Sequence, residues 1–155
     1  MNKAIFALFV SVFLFATGSI RSDAQTVSGS FANETVRRGT STSGVIALEI
    51  PKELHVNSNK PNSEYAIPTT VRVSGNGVKL GPVTFPPGEN RKFQFSENTI
   101  NVYEGTAFFW FTVTVPRNYK GKTVDVKAMV RYQACTNEVC YPPRNKEVTI
   151  TARVI

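Results

Sequence analysis

Along this chain apolar residues recur at every second position far more often than at helical spacing. The clearest run is 123–133. Val124, Val126, Ala128, Val130 and Tyr132 fall on one side, and Thr123, Asp125, Lys127, Met129, Arg131 and Gln133 on the other. Successive side chains of a pleated strand point to opposite faces, so the pattern predicts a strand with one face on a core. Val148, Ile150, Ala152 and Val154 repeat it to the C-terminus. Phe109, Phe111, Val113 and Val115 form a third such face. The interleaved Phe108 and Trp110 make that run apolar on both sides, which places Trp110 in the expected core. Weaker alternation marks 27–31, 45–50, 67–74, 78–85 and 91–95.

Turn chemistry falls between these runs, at Gly75-Asn76-Gly77, Pro86-Pro87-Gly88, the segment 116–121 and Pro142-Pro143. Residues 33–43, rich in Thr, Ser, Arg and Gly, read as a polar loop. Roughly seven to nine short strands, separated by turns about every 8–12 residues, predict an all-β protein. Its expected fold is an immunoglobulin-like antiparallel β-sandwich.

The N-terminus follows a different pattern. Met1-Asn2-Lys3 is a short positive start, and the mostly apolar run 4–16 carries Phe6, Phe9, Phe13 and Phe15. Small residues at Ser22 and Ala24 suit a signal peptidase, so 1–24 is expected to be a cleaved secretory signal and 25–155 a single domain. The apolar run is too short for a bilayer crossing, which takes roughly 20 residues. Export implies an oxidising compartment, with no membrane insertion after cleavage.

Composition narrows the function. A chain of 155 residues that is 41% hydrophobic and 19% charged is globular, not disordered. The formal net charge of +7 would suit nucleic acid, but no basic run exceeds two residues (Arg37-Arg38, Arg91-Lys92) and export argues against that partner. The charge reads as a solvated basic face that at most steers an acidic protein partner. The single histidine, His55, thins the catalytic options, since a multi-histidine site would need another chain.

Cys135 and Cys140 are the only cysteines, separated by Thr136-Asn137-Glu138-Val139 and placed between the two best strands. Such a loop can close a disulfide if the Cα atoms come within about 7 Å. One reading is a structural staple. Closing so short a ring is worth only roughly 2 kcal/mol, and an inter-sheet bridge would brace a sandwich better. The other reading is an exchangeable pair. Pro142 and Pro143 stiffen the chain beyond Cys140, Tyr132 and Tyr141 supply apolar cover, and Arg144 and Lys146 favour a thiolate while Glu138 opposes it. From the residues alone both readings stand.

The segment YQACTNEVCYPPR resembles the active-site hairpin of the N-terminal periplasmic domain of DsbD, the thiol:disulfide interchange reductase. In that family Tyr-Gln precedes the first cysteine and Tyr-Pro-Pro follows the second, as Tyr132-Gln133 and Tyr141-Pro142-Pro143 do here. Leu54 to Pro61, Phe85-Pro86-Pro87-Gly88 and Asn101-Val102-Tyr103-Glu104-Gly105 are similar to further family segments, in the same order. The resemblance implies an immunoglobulin-like sandwich without cofactor. It would work in the periplasm, taking electrons from a thioredoxin-like or membrane reductase donor and passing them to disulfides of exported proteins. Carried over, Cys140 is the exchanging thiol and Cys135 the resolving one. The family also shields its pair with an aromatic cap, for which 93–98 is the candidate here, Phe95 ahead of Phe93. The chain departs from the better-known enteric version in having one residue fewer between its cysteines. It also has other residues around His55 and Asn57 where that version has tyrosines, and lacks cleanly matched acidic residues beside the cap. The transmembrane and thioredoxin domains of the full reductase are absent from this sequence.

His55 either sits near the cysteines or is an ordinary packed residue of a strand. The CxxxxC spacing is not that of a zinc knuckle, so no metal is expected, and a copper site would need Met129 to join His55 and a cysteine. A serine-type triad would need Asp125, yet no nucleophile elbow accompanies it. The alternative to redox exchange is a non-catalytic immunoglobulin-like domain for binding or adhesion with a structural disulfide.

Overall fold

The structure, a computed structural model, describes residues 25–155; the expected signal at 1–24 lies outside them. In chain order the strands are β1 (Thr26–Phe31), β2 (Thr35–Val36), β3 (Ser41–Glu49), β4 (His55–Asn57), β5 (Thr70–Gly75) and β6 (Lys79–Leu80). They continue as β7 (Glu89–Arg91), β8 (Ile100–Tyr103), β9 (Thr106–Thr114), β10 (Thr123–Tyr132), β11 (Ala134–Cys135) and β12 (Arg144–Val154). No helix among the described residues is long and apolar enough to cross a membrane.

Two four-stranded sheets, ordered β1-β3-β9-β6 and β2-β12-β10-β5, face each other as the expected sandwich. The alternation builds their core. Val124, Val126, Ala128, Val130 and Tyr132 of β10 and Ile150, Ala152 and Val154 of β12 are buried from one side. Ile46 and Leu48 of β3 and Phe109, Phe111 and Val113 of β9 close it from the other. Each fully buried side chain of this kind is worth roughly 1.5–3 kcal/mol. Gly44 sits opposite Phe111 in the β3–β9 register, and the Phe111 ring occupies the space a Cβ would need. Pairing is antiparallel throughout, except that β2 runs parallel to β12.

Three expectations change. Trp110 is half exposed, as is Phe108, because the β9 pleat turns them to the outer face while Ala107, Phe109 and Phe111 take the core. The stretch 33–43 is not all loop, since it holds β2 and the start of β3. The expected strand 91–95 ends at Arg91, and the chain then turns, with the Ser96 amide donating to the Phe93 carbonyl at 3.2 Å.

A third sheet, β11-β4-β8-β7, meets the predicted runs only at Arg91 of β7. Its strands β4 and β11 are three and two residues long, too short for alternation to register. It positions the site. The β10–β12 hairpin pairs as far as Tyr132↔Arg144, and the intervening chain then leaves the sandwich so that β11 can pair with β4. Pro142 and Pro143, which have no amide hydrogen to donate, precede the first residue of β12.

Candidate functional site

Cys135 and Cys140 form a disulfide, with Cα atoms 4.0 Å apart. They are also a cross-strand pair. The hydrogen bonds fall on either side, from the Thr136 amide to the Val139 carbonyl and from the Tyr141 amide to the Ala134 carbonyl, both 2.8 Å. The cysteines therefore occupy a non-hydrogen-bonded site, where side chains approach most closely. The Thr136 hydroxyl accepts from the Glu138 and Val139 amides and ties off the loop. Burial divides the pair. Cys135 is 0% exposed, whereas Cys140 is an exposed residue on the outer limb.

Gln133 holds that limb in place. Its side-chain oxygen accepts from Asn57 Nδ2 at 3.0 Å and the Ile67 amide at 3.3 Å, and its Nε2 donates to the Tyr141 carbonyl at 3.2 Å. One amide thus ties the residue after Cys140 to β4 and to the segment before β5. Tyr132 lies deeper than its expected covering role, fully buried in the sandwich core with its hydroxyl unpartnered, and burial raises its pKa. Tyr141, Pro142 and Pro143 are exposed beside the disulfide.

The two cap candidates separate. Phe93 is buried in a small second core with Ile100 and Val102, and Ala66 packs on it. Phe95 is 44% exposed and lies on top, its ring stacked on that of Phe93 at 5.3 Å. Phe95, Cys140, Gln133 and Asn57 share a pocket of about 210 Å³ with Tyr65 and Ser96. Tyr65, 88% exposed, was missed by the sequence reading; a lone aromatic in the polar stretch Asn62-Ser63-Glu64 was the available signal.

His55 is packed, not superficial. It is buried, pairs in register with Cys135, and stacks on Phe93 with ring centroids 4.2 Å apart. Desolvation lowers its pKa, Glu104 opposes that shift, and Arg91 adds to it. Arg91 in turn bridges Glu104 and Glu89. Met129 lies between Glu147 and Arg72 on β10, away from the hairpin tip, and Asp125 accepts from the Thr151 hydroxyl on the same sheet. Neither is brought to His55, and the described residues contain no group of three His, Cys, Asp or Glu able to hold a metal ion.

Residues 23–152 match the family model described as thiol:disulfide interchange protein DsbD, N-terminal. The thiol:disulfide interchange protein DsbD of Actinobacillus pleuropneumoniae is 23% identical over 99 residues, which are 64% of this chain and 16% of that protein. That of Pectobacterium atrosepticum is 26% identical over 125 residues, 78% of this chain and 20% of the relative. The chain thus spans a fifth or less of these curated relatives. The crystal structure of the N-terminal periplasmic domain of ScsB from Proteus mirabilis shares the fold, with a TM-score of 0.54 at 9% identity over 82% of this chain and 46% of that one. With the family model covering nearly all of the described fold, and a disulfide where the resemblance expects the reactive pair, this chain belongs to the DsbD N-terminal domain family.

Proposed function

We propose that residues 25–155 are a single periplasmic thiol–disulfide exchange domain, exported by the leader at 1–24. The domain passes electrons from a thioredoxin-like or membrane reductase donor to disulfides of exported proteins. Cys140 is the exchanging thiol and Cys135 the resolving one. The observation that carries this reading is the asymmetry of the pair, an exposed Cys140 against a fully buried Cys135. Exchange is an in-line attack that needs one reachable sulfur, and the second must stay close to close the ring again. Family membership supports the reaction class, and the half-exposed Phe95 beside Cys140 supports a cap that a docking partner displaces.

The test is disulfide trapping in periplasmic extract. Cys135→Ser cannot resolve and accumulates mixed disulfides through Cys140, whereas Cys140→Ser accumulates none. If neither variant traps a partner, the domain is instead a binding or adhesion module with a structural staple.

A further inference from the structure

Resting on the exchange reading above, we infer that His55 is the proton acceptor for Cys135, the residue that makes the buried resolving thiol able to attack. The register places it there. Cys140 pairs with Cys135, and Cys135 pairs with His55 on β4, so the three residues form one row across the third sheet. Directly opposed residues of antiparallel strands point to the same face and hold their Cβ atoms about 4.5–5.5 Å apart.

Two features of this row lack a purely structural explanation. His55 is 3% exposed, yet its Nε2 is buried with no hydrogen-bond partner. An orphaned polar atom normally finds a partner or is replaced by an apolar residue. The disulfide offers it no donor, whereas the reduced pair does, because Cys135 then carries an S–H. The second feature is Cys135 itself. A thiol with 0% exposure is cut off from the water that would solvate its thiolate and resists ionisation, and only the thiolate attacks a disulfide. A neighbouring base removes that obstacle.

The chemistry balances without another reagent. The Cys140 thiolate first attacks the partner's disulfide, forming a Cys140–partner bond and releasing one partner thiolate. Cys135 then gives its proton to His55 and attacks the Cys140 sulfur. The Cys135–Cys140 bond forms, the Cys140–partner bond breaks, and the departing second partner thiolate takes up the proton that His55 held. The pair is oxidised by two electrons and the partner's disulfide is reduced to one thiol and one thiolate, the latter taking from solvent the proton that Cys140 gave up when it ionised.

The surroundings keep the imidazole in its accepting, neutral form. Phe93 stacks on it, and the groove it borders is lined by Lys52 and Glu53 before β4, Arg91 and Lys92 from the β7 side, Glu104 after β8, and Glu138 of the cysteine loop. These charges are mixed in sign, and desolvation outweighs the Glu104 attraction, so the histidine stays neutral to lower pH than an ordinary one.

Stopped-flow reaction of the reduced domain with glutathione disulfide separates the two steps, since Cys140 attack releases the first glutathione and Cys135 attack the second. His55→Gln and His55→Phe are compared with the unaltered chain across pH; the phenylalanine keeps the stack on Phe93 but has no nitrogen. Both variants are expected to release the first glutathione normally and the second about a hundredfold more slowly. Their second step should rise about tenfold per pH unit, as for an unassisted thiol, where the unaltered chain is nearly flat through neutral pH. A second step of normal rate or unchanged pH profile in either variant overturns the inference, and so does equal slowing of both steps, which would mark a structural role. If the unaltered chain releases no glutathione at all, it is the exchange reading that fails, and this inference with it.

Discussion

His55 folds into an environment that disfavours its charged form, with desolvation outweighing the nearby Glu104. Its folded pKa lies below the ordinary value near 6.5, so between the two values the unfolded chain binds more protons than the folded one. Stability therefore rises with pH through that window and is lost as pH falls below about 6.5. Urea denaturation at pH 5 and pH 7.5 is expected to show a smaller difference for His55→Gln than for the unaltered chain. Equal differences would mean that His55 is not the group responsible. At this scale the sequence was informative about residue types and silent about neighbours. The Tyr-Gln and Tyr-Pro-Pro flanks marked the hairpin, but only the cross-strand register puts His55 beside Cys135, a pairing between residues far apart in the chain.

The site elements depend on the third sheet, where β4 and β11 bring His55 against the cysteine loop and the turn after β7 carries the two phenylalanines. Phe93 and Phe95 alternate in sequence like strand residues, and 91–95 was accordingly expected to be a strand. The backbone instead turns after Arg91, leaving one ring in the small core and the other half-exposed, lining a pocket with Cys140. The two positions predict opposite mutational behaviour. Phe93→Ala removes a buried ring and is expected to cost about 3–5 kcal/mol in denaturant unfolding. Phe95→Ala loses only a half-exposed stacking contact, under about 1.5 kcal/mol, while speeding reduction of the disulfide by dithiothreitol several-fold. If Phe95→Ala leaves that rate unchanged, the ring is not a cap. Long strands were legible because packing on one face enforces period two over many residues, as in β10 and β12. The same rule misplaced Trp110, since an apolar residue on the outer phase of the pleat looks in sequence like a core residue.

For the molecule as a whole, the fold and the disulfide are built as separable parts. The sandwich core draws on both facing sheets and includes neither cysteine, and the disulfide closes a loop with a sequence separation of 5. Reduction is therefore expected to leave the far-ultraviolet circular dichroism unchanged and to lower unfolding stability by no more than roughly 2 kcal/mol. Loss of the sandwich signal on reduction would mean that the bond is a staple after all. Fold class was legible because it follows from strand count and turn spacing, while the burial difference between the cysteines, 0% exposure for Cys135 against an exposed Cys140, was not, because it is set by neighbours distant in sequence. The most direct test of exchange is the reduction potential of the pair, measured by equilibrating the domain in dithiothreitol and glutathione buffers. A potential above about −300 mV, within reach of thioredoxin-like partners, is the predicted result; a value below it, typical of structural disulfides, would contradict the account.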